Sequence, residues 1–168
     1  MTWTNKDGLV VRFANEQAEL PKGSYENATL HRVMVKLTDA TALQANSTDP
    51  LTTSVAYFKD ETTPGIPAGS YITRAYLKVD TAFTSAGSAV LDVGLMEADG
   101  SIVDVDAIDD GIAVAALGAN AMVNCNGAGV AGVVKTSPTL ETFVCFSYET
   151  AAFTAGACTV VVEYYKFD

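Results

Sequence analysis

The side chains of this sequence most capable of chemistry are one histidine, three cysteines and an excess of carboxylates. His31 is the only histidine, which argues against nucleophilic triads and multi-histidine metal sites. The motifs that announce phosphate, dinucleotide, zinc-protease or serine-hydrolase chemistry (a P-loop, GxGxxG after a strand, HExxH, GxSxG) are missing from the chain. His31 falls inside an alternating run, where a packed, hydrogen-bonded imidazole is the expectation. Cys125, Cys145 and Cys158 are odd in number and widely spaced, without the close pairs of a zinc site or a redox CxxC. They read as reduced thiols that pack as small hydrophobes. A Cys145–Cys158 disulfide stays open because their two strands look adjacent.

The carboxylates concentrate between Glu97 and Gly111, with Asp99, Asp104, Asp106, Asp109 and Asp110. Hard cations need several such groups converging at short range, but this spacing does not match an EF-hand loop. The stretch reads as solvated acidic surface rather than as a metal site. Paired acids for glycoside hydrolysis could come from distant strands, yet nothing selects a pair. Tyr25, Tyr57, Tyr71, Tyr76, Tyr148, Tyr164 and Tyr165 could line a sugar platform, although tyrosine is simply enriched in strands. The expectation is therefore no catalytic residue, no cofactor and no metal, with the work done by surfaces.

The elements that must carry those surfaces follow from composition and period. A chain of 168 residues suits one domain with a sizeable core. With 49% hydrophobic and only 18% charged residues, it favours sheets over helical bundles. The net charge of -10, with no basic run, argues against nucleic acid and anionic membranes as partners and for solubility. Met1 is not followed by an apolar leader, and apolar stretches such as 111–119 and 159–162 fall short of the roughly 20 residues of a membrane helix. A soluble chain made in a cytoplasm is expected.

Residues 1–28 read as an N-terminal arm carrying one strand, Gly8–Phe13, and residues 29–168 as a β-sandwich domain. From Thr29 to Thr38, His31, Val33, Val35 and Leu37 alternate with Leu30, Arg32, Met34 and Lys36, the period of a half-buried strand. Further strands are expected over 52–58, 71–80, 89–96, 102–105, 122–124, 130–134, 142–149 and 158–167. A Pro/Gly loop spans Lys59–Gly69, a tight turn Ala98–Ser101 and a glycine-rich loop Asn126–Gly129. Ala107–Leu117 has near-helical spacing, with Asp106 as cap and Gly118 as stop, and predicts one short helix or turn. An internal echo, Thr81-Ala82-Phe83-Thr84-Ser85-Ala86-Gly87 and Ala151-Ala152-Phe153-Thr154-Ala155-Gly156, predicts two similar hairpin loops whose Phe83 and Phe153 fold back to plug the sandwich ends. The sum is an all-β, antiparallel two-sheet sandwich, jelly-roll-like, although periodicity does not separate that order from an immunoglobulin-like Greek key.

The opening Trp3-Thr4-Asn5-Lys6-Asp7-Gly8-Leu9-Val10-Val11-Arg12-Phe13 resembles the start of small structural proteins of tailed bacteriophages. Pro67-Ala68-Gly69-Ser70-Tyr71-Ile72, Ala75-Tyr76-Leu77-Lys78-Val79, Ala82-Phe83-Thr84 and Leu91-Asp92-Val93-Gly94-Leu95 are similar to the same group, often head decoration or cement components. The resemblance implies a virion protein on the outer capsid surface, where it bridges neighbouring major capsid proteins and stabilises the shell. It implies as partners the major capsid protein and further copies of itself, in a homotrimer or another closed homo-oligomer, with no nucleic acid and no membrane. Trp3, Leu9, Val11 and Phe13 of the arm are the expected partner-binding residues, together with Phe83 and Phe153 at the loop tips. The alternative is a carbohydrate- or receptor-binding module of a tail or head fibre.

Overall fold

The computed structural model describes residues 2–4, 10–12, 30–45, 65–97, 99–130, 136–137 and 139–166. Nine strands lie within them: β1 (Thr2–Thr4), β2 (Val10–Arg12), β3 (Leu30–Leu37), β4 (Tyr71–Ser85), β5 (Val90–Glu97), β6 (Ile102–Ala113), β7 (Met122–Asn124), β8 (Thr142–Glu149) and β9 (Phe153–Tyr165). They form a four-stranded sheet in the order β3-β9-β4-β7, a three-stranded sheet in the order β6-β5-β8, and a two-stranded β1-β2 pair. Every pairing between strands is antiparallel, and the expected all-β sandwich is the fold.

The strand order decides between the two topologies left open by the sequence. Neighbours within the four-stranded sheet are far apart in the chain, whereas the consecutive pairs β4/β5, β6/β7 and β8/β9 fall in different sheets. This crossing back and forth is jelly-roll-like. It also removes the premise of a Cys145–Cys158 bridge, since β8 and β9 follow one another without pairing; all three cysteines are free and buried.

Alternation explains why β3 sits where it does. Val33, Val35 and Leu37 are buried while Leu30, Arg32, Met34 and Lys36 are exposed. The register extends that alternation across the sheet, with Val35 opposite Val160 and Val160 opposite Leu77 in an inward row. These residues join Leu91, Val93, Leu95, Val144 and Phe146 of the other sheet in one apolar cluster. Full burial of each such side chain stabilises the fold by about 1.5–3 kcal/mol.

Three expectations need correction. Of the short helix or turn expected over Ala107–Leu117, a single 3₁₀ turn, Val114–Ala116, is present, and the residues before it are the second half of β6. Ile108 and Ile112 are four apart, a spacing that suits one face of a helix and one face of a strand equally. Pairing with β5 decides for the strand, and Gly111, at φ 91°, takes up an irregularity between the Leu91↔Ile112 and Val93↔Asp109 pairs. The arm carries two short strands rather than one, because Thr2–Thr4 pairs with Val10–Arg12. The echo segments are strand ends rather than loops, since 81–85 ends β4 and Phe153 begins β9. The strand expected at 52–58 and most of that at 130–134 lie outside the described residues, and Val130 itself is in a turn.

The turn closed between Glu97 and Ser101 is as expected. Glu97 N–H donates to Ser101 O (2.8 Å), Gly100 N–H to Glu97 O (3.0 Å), and the Asp99 carboxylate accepts from Ser101 N–H (2.8 Å). Gly100 adopts φ 94°, which a glycine reaches without a Cβ clash.

Candidate binding surfaces

The four-stranded sheet turns one face to solvent, and its outward rows can be read directly from the register. Leu30–Tyr165–Tyr71, Arg32–Glu163–Arg74, Met34–Val161–Tyr76–Asn124 and Lys36–Thr159–Lys78–Met122 succeed one another along the strands. Met34 and Met122 are 58% and 64% exposed, well beyond what packing within one chain requires. Val161, in register between Met34 and Tyr76, is buried. This is a mixed face: apolar rows alternate with charged ones.

Its electrostatics differ from those of the chain as a whole. Arg32, Lys36, Arg74 and Lys78 all project here, and Lys166 lies just past the end of β9. Two acids share the face. Glu163 accepts from Arg32 (2.7 Å), and Asp80 accepts from Lys78 (2.9 Å) and from the Thr159 hydroxyl (2.8 Å). Hydrogen bonds from Lys78 and Thr159 hold the Asp80 carboxyl below its ordinary range. The Arg74 guanidinium lies 5.6 Å from the centre of the Tyr76 ring.

The second surface is β6 and the turn that enters it. Asp99 and Asp110 are exposed and Asp104 and Asp106 half-buried. Asp106 is pushed up to about 6, first by a hydrogen bond with Asp104 that requires a shared proton, then by desolvation and by repulsion from the same neighbour. Asp109 is buried, accepts from Asn126 N–H (3.2 Å) and is raised by desolvation. No group of three or more His, Cys, Asp or Glu side chains that could hold a metal ion occurs among the described residues.

What bends β6 is visible in the register. From Leu95↔Asp104 to Val93↔Asp109, β6 advances five residues while β5 advances two. The extra backbone is received by glycines. A Cβ on Gly94 would overlap the carbonyls of Asp104 and Val105, and one on Gly127 that of Asp106. The glycine-rich loop then fastens the bulge, with Gly127 N–H donating to Ile108 O (2.9 Å) and Gly129 N–H to Ala107 O (2.6 Å). Its glycines serve close backbone approach rather than a phosphate.

The predicted partner-binding residues separate. Trp3 and Val11 are cross-strand partners in the β1-β2 pair, and Leu9 and Phe13 lie outside the described residues. Phe83 and Phe153 come together. They are buried and meet edge to face, with centroids 5.1 Å apart at 80°. Around them the echo segments bind each other: the Thr84 and Thr154 hydroxyls are 2.8 Å apart, and Ser85 Oγ donates to Ala152 O (2.9 Å). Gly156, at φ 149°, lies against the Phe83 ring, which would overlap a Cβ there. The rings fold back into the sandwich, as expected of plugs, so a partner would meet the rim rather than the rings.

His31 is exposed, against the expected packed and hydrogen-bonded imidazole. It is the second residue of β3, opposite Tyr164 in the register, and stacks on that ring at 5.4 Å. The three thiols are held in their neutral form by burial, Cys125 and Cys145 being pushed up to about 12 and Cys158 further. No described helix is long and apolar enough to cross a membrane.

No protein-family model and no curated protein matches this chain. A chain from the capsid of Ralstonia phage GP4 matches with a TM-score of 0.50 at 15% identity, over 83% of this chain and 86% of that one. The chain shares its fold with this phage-capsid chain. A chain of the cyanophage Pam1 capsid asymmetric unit aligns at 14% identity over 82% and 83%, with a TM-score of 0.46. The sheet face was legible in part: Leu30, Arg32, Met34 and Lys36 were recognised as one side of a strand. Tyr165, Arg74 and Tyr76 joined them only through pairing between segments far apart in the chain.

Proposed function

We propose that this chain is a phage capsid decoration, or cement, protein that binds the outer surface of the head and bridges neighbouring major capsid proteins. The observation that carries the reading is the fold shared with a chain from the GP4 capsid over most of both lengths. Charge supports an outer position, because a chain of -10 is repelled by packaged DNA and stays soluble outside the shell. In this reading the role is mechanical: many modest contacts, each repeated around the shell, sum to firm attachment. The arm, with Trp3, Leu9, Val11 and Phe13, lies along a neighbouring subunit while the sandwich packs against copies of itself.

Adding the purified chain to shells that lack it tests this directly. Saturable density on the outer surface in hundreds of copies, together with a higher temperature of shell disruption, is the expected outcome. Absence from the shell, or a few copies confined to the tail, rejects it. Deleting residues 1–13 should abolish attachment with the sandwich still folded, and unchanged occupancy would remove the arm from the mechanism.

One observation favours a second reading, a receptor- or carbohydrate-binding module of a fibre. Tyr71, Tyr76 and Tyr165 share the outward face of the four-stranded sheet. Such a platform would bind sugars by stacking. Glycan-array binding that disappears on Tyr76→Ala would favour this module over the shell protein.

A further inference from the structure

The outward face of the four-stranded sheet is an oddity on so acidic a chain. Four cations and two carboxylates project from it, whereas the whole sequence has twice as many acids as bases, 20 against 10. Between the cations run exposed Met34 and Met122. With Arg32 and Lys78 paired to Glu163 and Asp80, the excess positive charge is carried by Lys36 and Arg74, and apolar groups beside such an excess suit a desolvated contact with an acidic partner.

The complement is present on the same molecule. β6 and its entering turn expose Asp99 and Asp110 and partly expose Asp104 and Asp106, and no basic side chain belongs to that strand or turn. Two like copies of the sheet face would repel, so a contact of this face with itself is disfavoured. A contact between unlike surfaces of two copies satisfies both, and contacts of that kind repeat around a ring when the rotation closes.

We propose that the sheet face bearing Lys36 and Arg74 docks on the acidic β6 flank, bearing Asp104 and Asp110, of a second copy of this chain. This rests on the reading above that the sandwich packs against copies of itself, and it names the two surfaces that meet. Three strands about 4.8 Å apart over eight residues at about 3.3 Å each, with the short β7 beside them, give a footprint of roughly 430 Å². That is below the roughly 800 Å² per partner of a standard interface. A single contact is therefore weak, and ring closure supplies the remaining stability.

Sedimentation equilibrium of the full chain, with a salt series, tests the contact. The wild type should associate as concentration rises and dissociate with added salt. Lys36→Glu with Arg74→Glu, and separately Asp104→Lys with Asp110→Lys, should each weaken association about tenfold or more. An equal mixture of the two variants should regain it, because the acidified face of one now meets the basic flank of the other. A monomeric wild type, either variant associating like wild type, or a mixture that stays monomeric would overturn the proposal. Circular dichroism checks that each variant folds, and Lys36→Gln with Asp110→Asn replaces any that does not, with the same expected direction. Shell occupancy is measured separately: a wild type that self-associates but leaves shells bare sinks the shell reading and spares this contact.

Discussion

The two sheets of the sandwich solve burial in opposite ways. In the four-stranded sheet β3 alternates buried and exposed residues, so one face makes the core and the other remains available. In the three-stranded sheet the central strand β5 is buried at every position from Leu91 to Met96. Its neighbour β8 pairs with it in unbroken register, while β6 slips three times and lays its backbone over Gly94. The β4–β9 pairing has shifts of its own, but from Arg74 to Val79 it runs unbroken and carries the outward rows, whereas β6 spends its irregularity on covering β5 and leaves acids along an edge strand. Carboxylates along an edge strand also discourage pairing with a stray strand.

The contrast can be broken first where the four-stranded sheet closes. Phe153→Ala should cost about 3–5 kcal/mol in urea unfolding, since it empties a site beside Phe83. A double-mutant cycle with Phe83→Ala should show a coupling of about 1 kcal/mol. Additive losses would mean that the ring pair fills space without specific contact. Gly94→Val should cost about 3 kcal/mol by the same measurement, because a side chain there would meet the Asp104 and Val105 carbonyls, which cannot rotate aside. A neutral result would show that β6 does not press on β5.

The smallest effect sharpens the electrostatic side. Asp106 has an ordinary value of 3.8 and a folded one of about 6, so the folded state holds its proton more tightly. Stability from this group is gained as pH falls through about 6 and is complete below about 4; above 6 it is absent. Asp109, raised by burial, acts in the same direction, while Asp39, Asp80 and Asp99, lowered by hydrogen bonds, act in the opposite one. Asp106→Asn should raise the melting temperature at pH 7 and flatten the melting profile between pH 4 and 6. An unchanged slope over that interval would show that the Asp104–Asp106 pair does not titrate as placed.

Much of this was legible from short-range pattern. The alternation in 29–38 placed Val33, Val35 and Leu37 inward and Met34 outward, and the Asp99-Gly100 turn followed from its residue types. The echo around Phe83 and Phe153 was visible as a repeat, but its meaning was not: two similar segments pair antiparallel and bury each other's rings, a relation between residues 70 apart in sequence. The helical spacing over 107–117 left only a 3₁₀ turn at its end, for a related reason. Ile108 and Ile112 satisfy both periods, and only the hydrogen bonds offered by β5 chose between them.

The sequence by itself determined that the chain is a β-protein of alternating strands with an acidic exterior, because side-chain period and charge are properties of neighbouring residues. Which strands pair, which face remains open and where Arg32, Lys36, Arg74 and Lys78 gather were decided by the tertiary structure. Those facts depend on contacts between segments distant along the chain, and the free energy that selects them comes from joint burial of both sheets rather than from any one segment.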